Sequence, residues 1–264
     1  ELRVLEKHER YSEAWSRVQQ FQHAPHTPLA GLAFDRVLKR TSKKTGNHYQ
    51  PSALKTPEQT KITVPKAEKM SVERCVVEAL STKDTPHYYA ENCLINGLFG
   101  LLFWEALYAP VEGAFFHPFQ SQPADLYRRR FTRTREAYLT QAFNWLSNGQ
   151  YKAQIIKTFE AKKGITNSFI HWGVLTRELV DTSLECIPAD HLRLIFERLL
   201  VDIRTHRSGF PDLISFDLKR QTYQLIEVKG PGDRLQDNQR LWLDYFVQHN
   251  IPSSVCWVTW STQP

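Results

Sequence analysis

The stretches GFPDLISF (Gly209–Phe216) and LIEVKG (Leu225–Gly230) decide the fold of this 264-residue chain. Upstream of them hydrophobic residues recur at helical spacing; here they alternate with a period of two, the signature of strands. Asp212–Asp217 and Gln224–Lys229 read as two strands joined by the polar segment Leu218–Tyr223. A symmetric turn centred between Lys219 and Arg220 pairs residues whose numbers sum to 439, which sets Asp212 opposite Glu227. Directly facing residues have Cβ atoms about 4.5–5.5 Å apart. Two carboxylates so placed repel, which a purely structural hairpin avoids, whereas a shared divalent cation turns the repulsion into a binding site. Glu227 and Lys229 lie two apart and therefore on one face of their strand. Val228 points the other way but offers its backbone carbonyl. Pro211 sits at a strand start, where a missing N–H is tolerated, and Gly209 permits close approach of a backbone. An acidic pair beside a lysine meets the needs of phosphodiester hydrolysis: Mg²⁺ prefers oxygen ligands and activates water, while an ammonium stabilises developing charge.

Working outward, Gly230-Pro231-Gly232 ends the second strand. Asp233 reads as the N-cap of a helix reaching about His249, with Gln236 as capping-box partner. Val255–Trp260 is a final strand. Before the hairpin come helices at about Thr132–Leu146, Tyr151–Lys163, Phe169–Thr182 and Ala189–Thr205, and an all-round apolar helix over Tyr88–Tyr108 with Glu91 and Asn92 in its opening turns. Helix, hairpin, helix, strand is the order of an α/β domain with a small mixed sheet. Further upstream, Ser71 N-caps a helix to about Leu80, Ile62–Pro65 is an edge strand, and Thr41–Thr60 is a linker. Ser12–Phe21 and Leu29–Lys39 are amphipathic helices separated by Pro25 and Pro28. They leave an apolar face with little to bury against, as the last unit of a helical array would. The chain starts at Glu1 and its only methionine is Met70, so a fragment of a longer protein is expected.

Composition bounds the rest. Lys plus Arg is 34 and Asp plus Glu is 28, a net charge of +6 that suits a polyanionic partner. The uninterrupted apolar run Leu98–Trp104 is far short of the ~20 residues of a membrane span. Cys75, Cys93, Cys186 and Cys256 lie far apart, without zinc-ligand spacing, as expected of thiols in a reducing compartment. Basic residues concentrate in Arg128, Arg129, Arg130, Arg133, Arg135, Lys152, Lys157, Lys162 and Lys163, with Glu136 and Glu160 the acids among them. Such a face positions a phosphate backbone without reading bases. Arg234 and Arg240 lie nearer the hairpin. His206, just before the motif, is read as structural.

The run GFPDLISF…LIEVKGPGDRLQDNQRLWL resembles the VRR-NUC domain of the PD-(D/E)xK nuclease superfamily, and within it the Fanconi-anaemia-associated nucleases; AENCLINGLFGLLFWEALY (Ala90–Tyr108) resembles that family's buried helix. The resemblance implies a restriction-endonuclease-like α/β core, a small mixed sheet flanked by helices, over residues 61–264. A helical insert occupies about 110–205, and residues 1–60 form an α-helical extension. By position, Glu91, Asp212, Glu227 and the Val228 carbonyl would hold one or two Mg²⁺ or Mn²⁺ ions. Lys229 would orient water or stabilise the transition state, and Gln239 would stand beside the site on a helix face with Leu235, Trp242 and Phe246. Glu105, fourteen residues beyond Glu91 and ~21 Å along a helix axis, cannot share its metal. The implied activity is a 5′-flap endonuclease with 5′→3′ exonuclease action in crosslink repair. It would work inside the cell, in a bacterial cytoplasm or a nucleus, as a monomer on branched or flapped DNA. A Holliday-junction resolvase and a catalytically dead DNA-binding scaffold are the alternatives.

Overall fold

A computed structural model describes residues 1–22, 27–51, 53–66 and 69–261; Pro25, read as a breaker, lies outside them. In chain order the elements are α1 (Leu2–Lys7), α2 (Tyr11–Gln22), α3 (Pro28–Thr45), β1 (Glu58–Pro65), α4 (Val72–Leu80), β2 (His87–Tyr89), α5 (Leu94–Leu102) and α6 (Trp104–Leu107). Then follow α7 (Arg130–Thr134), α8 (Glu136–Ser147), α9 (Tyr151–Lys162), α10 (Arg177–Cys186), α11 (Ala189–Val201), α12 (Ile203–His206), β3 (Leu213–Asp217), β4 (Thr222–Lys229), α13 (Asp237–Gln248) and β5 (Ser253–Ser261). The strands form one mixed sheet in the order β1-β5-β4-β3-β2. β1 and β4 run parallel to β5, whereas β3 is antiparallel to both β4 and β2. Leu213 pairs with Ile226 and Asp217 with Thr222, so the hairpin adopts the expected register.

Strand alternation divides the core. Ile214, Phe216, Tyr223, Leu225 and Val255 face the large cluster built by α5, α11 and α13, whereas Leu213, Ile226, Val228, Cys256 and Val258 face α4 through Cys75 and Val76. By the same period Asp212, Glu227 and Lys229 belong to the first face and Val228 to the second.

Several element boundaries differ from the sequence reading. Tyr88–Tyr108 is not one helix: β2 pairs with β3, a turn follows in which Asn92 takes φ +49°, and helix begins only at Leu94. Phe103 then separates α5 from α6. Thr132–Leu146 breaks at Arg135, and Phe169–Thr182 is helical only from Arg177, where the Thr176 hydroxyl caps the chain by accepting from Leu179 N. The helix from Ala189 stops at Val201; Asp202 then caps the short α12. Within the expected linker, α3 continues to Thr45 and ends on Gly46 at φ +74°, while β1 already starts at Glu58. Pro28 opens α3 behind the Thr27 cap. The cap of α13 is Gln236, not Asp233, whose carboxylate instead accepts from Gly230 N at 2.9 Å. The helices α2 and α3 do find partners: Trp15, Val18, Val37 and Leu38 pack together with Tyr49, and Arg36 pairs with Asp237 on α13 at 2.5 Å.

Candidate active site

Three chain segments meet at the end of the sheet where β4 finishes and β3 begins. Asp212 precedes β3, and its Oδ2 accepts from Val228 N at 2.8 Å. This bond crosses the hairpin where the register sets Asp212 against Glu227. The Asp212 carbonyl accepts from both Ala90 N (3.0 Å) and Glu91 N (3.1 Å), so the turn carrying Glu91 is stitched to the strand carrying Asp212. Asn92, in the same turn, accepts from Phe210 N through Oδ1 at 3.2 Å. Gly209 has φ +89°, and a Cβ there would lie 2.9 Å from the Asn238 backbone, so the expected close approach exists and only glycine fits it.

Glu227 is completely buried. Lys229 Nζ lies 2.6 Å from its Oε1, yet neither carboxylate oxygen receives a well-directed hydrogen bond. Burial, then the nearby Asp212, pushes the Glu227 carboxyl up to about 8, against the pull of Lys229. Burial also raises Asp212, to about 6, although the Val228 N–H and Lys229 favour its charged form. Two carboxyl groups held this way want a cation beyond the single ammonium they have. Glu91 is placed differently. Tyr89 donates to its Oε2 at 2.7 Å and Asn92 Nδ2 to its Oε1 at 3.1 Å. Its charge reaches Asp212, whose carboxyl it helps to raise. Among the described residues no three His, Cys, Asp or Glu side chains converge tightly enough to make a ready-built metal centre. The donor set nevertheless fits a hard divalent ion: carboxylate oxygens, two of them buried and unsaturated, with a backbone carbonyl on the same strand.

The remaining expected residues separate clearly. Gln239 spends its Oε1 on Gln236 N at 2.9 Å, as the second half of the α13 capping box. Arg135 is not a DNA contact: its side chain is 0% exposed and grips Asp125 with two 3.0 Å bonds while lying over Phe131. One buried carboxylate claims it, and charge clustering in sequence cannot reveal that. Arg128, Arg129, Arg130, Arg133, Lys152, Lys157, Arg234 and Arg240 are exposed. Glu105 is exposed too, and His206 is buried with Nδ1 on the Arg198 carbonyl, consistent with a structural role. All four cysteines are free thiols.

The sequence reading missed Tyr89 and Asn92, the two donors to Glu91, although both flank it. It also missed a cavity of about 510 Å³ that starts at Asn92 and is lined by Ser168, His171, Arg204 and Arg207. Arg207 is fixed there by the Tyr127 hydroxyl at 2.7 Å and the Phe169 ring. Its closeness to Gly209 was the available signal. A larger cavity, about 770 Å³ between Leu29, Phe131, Ile203 and Leu241, contains none of the acidic trio. No helix among the described residues is long and apolar enough to cross a membrane.

A five-stranded mixed sheet flanked by helices, with Asp, Glu and Lys gathered at one end, defines a restriction-endonuclease-like domain, and residues 146–260 match the VRR-NUC domain. A Fanconi-associated nuclease 1 homolog of Pseudomonas aeruginosa is 42% identical over 262 residues, which cover 98% of this chain and 47% of that protein. The homolog of Caenorhabditis elegans is 34% identical over 176 residues, 64% of this chain and 20% of the relative. The crystal structure of paFAN1 bound to 2nt 5′ flap DNA with gap superposes with a TM-score of 0.95 at 40% identity, covering 100% of this chain and 48% of that one. A second structure of paFAN1, bound to 1nt 5′ flap DNA with gap, also gives 0.95, at 40% identity over 99% of this chain and 49% of that one. The chain belongs to the Fanconi-associated nuclease family. It spans about half the length of the Pseudomonas relative and a smaller share of the other.

Proposed function

We propose that this chain is the catalytic portion of a structure-specific DNA nuclease that needs Mg²⁺ or Mn²⁺ and acts on 5′-flapped DNA. The observation that carries the reading is the Asp212–Glu227–Lys229 group: two buried carboxyls, both held above their ordinary range, with one ammonium. A structural site would gain by losing one of these acids. A site for a dication gains by keeping both. Asp212, Glu227 and the Val228 carbonyl would hold the ion, with Glu91 as the further carboxylate. Bound there, the ion polarises the phosphodiester and makes its water a better nucleophile. Lys229, held against Glu227, is placed to neutralise charge growing on the phosphoryl oxygens. The Val228 N–H keeps Asp212 oriented whatever its protonation. Gln239, through its cap, acts by fixing the start of α13 rather than by touching substrate.

The exposed arginines and lysines, Arg128 to Arg133 with Lys152, Lys157, Arg234 and Arg240, would neutralise DNA phosphates. The paFAN1 structures with 5′-flap DNA support a flapped substrate; an intracellular setting and one protein copy per branch belong to the same proposal. Residues 61–264 would form the nuclease unit, and residues 1–60 the helical unit leaning on α13. Incubation of an end-labelled 5′-flap with the chain tests the reading: cleavage with Mg²⁺ or Mn²⁺ and none in EDTA is expected. Intact DNA in every lane would instead mark a DNA-binding scaffold.

A further inference from the structure

The most exposed aromatic side chains among the described residues are Phe119, 88% exposed, and Phe116, 75% exposed. Both lie in the segment Ala114–Gln120 (AFFHPFQ), within the helical insert. Leaving a phenylalanine in water forgoes roughly 1.5–3 kcal/mol of burial, and two together on one loop call for a purpose.

The backbone of the loop is braced by one of its own side chains. The Gln120 side chain lies across it: Oε1 accepts from Phe116 N at 3.1 Å, while Nε2 donates to the carbonyls of Ala114 (2.7 Å) and Gln122 (2.6 Å). Phe115 stacks on Tyr108, and Tyr108 on Trp104, with centroids 5.7 and 4.9 Å apart. The Tyr108 hydroxyl donates to the carbonyls of Ser121 and Thr166. Three rings thus anchor the base of the loop, and two project from it.

Its position and surroundings indicate what the rings meet. Ser121 accepts from Ser168 N at 3.1 Å, and Ser168 lines the cavity shared with Asn92, Arg204 and Arg207. The loop's C-terminal end is therefore tied to one wall of the cavity that Asn92, the neighbour of Glu91, lines on another side. Two cations stand near the loop's base: Lys162 Nζ lies 5.7 Å above the Trp104 ring, and the Arg130 guanidinium, which also pairs with Asp125 at 3.5 Å, lies 3.8 Å from where a Cβ on Gly113 would stand. Projecting rings among cations suit a polyanion with flat faces, whereas a protein partner would be met by a broader apolar patch.

We infer that Phe116 and Phe119 stack on unpaired bases of a single strand leaving the active site, so that the loop recognises the flap itself. This deepens the nuclease reading and rests on it. Stacking accepts any base, because every base has a π-face, and sequence preference is not expected.

Fluorescence anisotropy of duplexes labelled at the end away from the branch, in EDTA so that nothing is cut, tests this. The 264-residue chain is compared with Phe116→Ala/Phe119→Ala and with Phe116→Tyr/Phe119→Tyr. Three DNAs are used: one with a thymidine flap, one with an abasic flap of equal length, and one nicked without a flap. The alanine pair should weaken binding of the thymidine flap at least about 5-fold, leave the other two DNAs unchanged, and recover with tyrosines. Equal affinity for the thymidine flap, or an equal loss on the abasic flap, overturns the assignment and would leave the rings to a protein partner. If the unmodified chain neither cuts with Mn²⁺ nor binds flapped DNA, the nuclease reading itself falls. If it does both while the alanine pair matches it, only the loop's role is lost.

Discussion

Replacing Glu227 by Gln separates the cost of the buried acid from its chemical use. The carboxyl titrates near 4.5 in an unfolded chain and near 8 in the folded one. The folded protein therefore holds this proton more tightly, and its stability falls as pH rises through that interval. Linkage over these two values puts the loss at about 1 kcal/mol by pH 5 and about 4 kcal/mol by pH 8. Glutamine does not titrate, so the variant escapes the loss. The attraction of Lys229 is already contained in the folded value of about 8, so it adds no further pH-dependent contribution to the difference. Between pH 5 and pH 8 in EDTA the variant should gain about 3 kcal/mol on the parent, or roughly 6–12 °C in melting temperature for a chain of this size. Differential scanning fluorimetry at several pH values reads this directly. Mn²⁺ at 100 times its dissociation constant should return about 2.7 kcal/mol to the parent at pH 8 and little to the variant. Melting curves for the two proteins that run parallel from pH 5 to pH 8 would refute the reasoning.

Asp212→Ala should abolish cleavage of a 5′-flap while leaving DNA affinity in EDTA within a few-fold; normal turnover would remove Asp212 from the site. Arg135→Ala breaks a fully buried ion pair and should cost about 3–5 kcal/mol in urea unfolding, with no role in DNA contact expected for the side chain. Arg133→Ala should do the opposite: stability stays within about 0.5 kcal/mol, and the slope of log affinity against log salt shrinks by about 0.7–0.9. Gly209→Ala forces a Cβ against Asn238 at positive φ and should destabilise the fold by about 1–3 kcal/mol, visible as a lower urea midpoint.

The hairpin was legible because strand alternation, a polar turn and two like charges constrain one register, and Leu213↔Ile226 obeys it. Helix boundaries were less legible. Hydrophobic spacing continues unbroken through Tyr88–Tyr108, whereas the strand β2 exists because β3 offers it an edge, a long-range pairing that local pattern does not encode. Arg135 failed as a DNA contact for a similar reason: its partner Asp125 lies ten residues upstream, outside the basic run that drew attention to it. Capping at Gln236 rather than Asp233 is subtler. Both segments present a side chain that can accept from backbone N–H groups, and Asp233 is claimed by the glycine turn that ends β4. The Tyr89 and Asn92 contacts to Glu91 became visible only once that glutamate was seen on a turn instead of a helix.

That placement bears on how the site works. Asp212 and Glu227 sit on paired strand ends, and the Val228 N–H and the hairpin register fix them without help from any ion. Glu91 is attached by its backbone to the same point, through two N–H groups on the Asp212 carbonyl, but its carboxylate is engaged by Tyr89 and Asn92. The sheet therefore supplies rigid, already strained oxygens, and the turn supplies an oxygen donor whose present partners are neutral. At the proposed metal site, exchange of two neutral donors for a dication would cost little beside the relief of two carboxyls held near 6 and 8. Affinity for the ion should thus be governed by the sheet pair and rise with pH as their protons leave, while Tyr89 and Asn92 set how readily Glu91 joins.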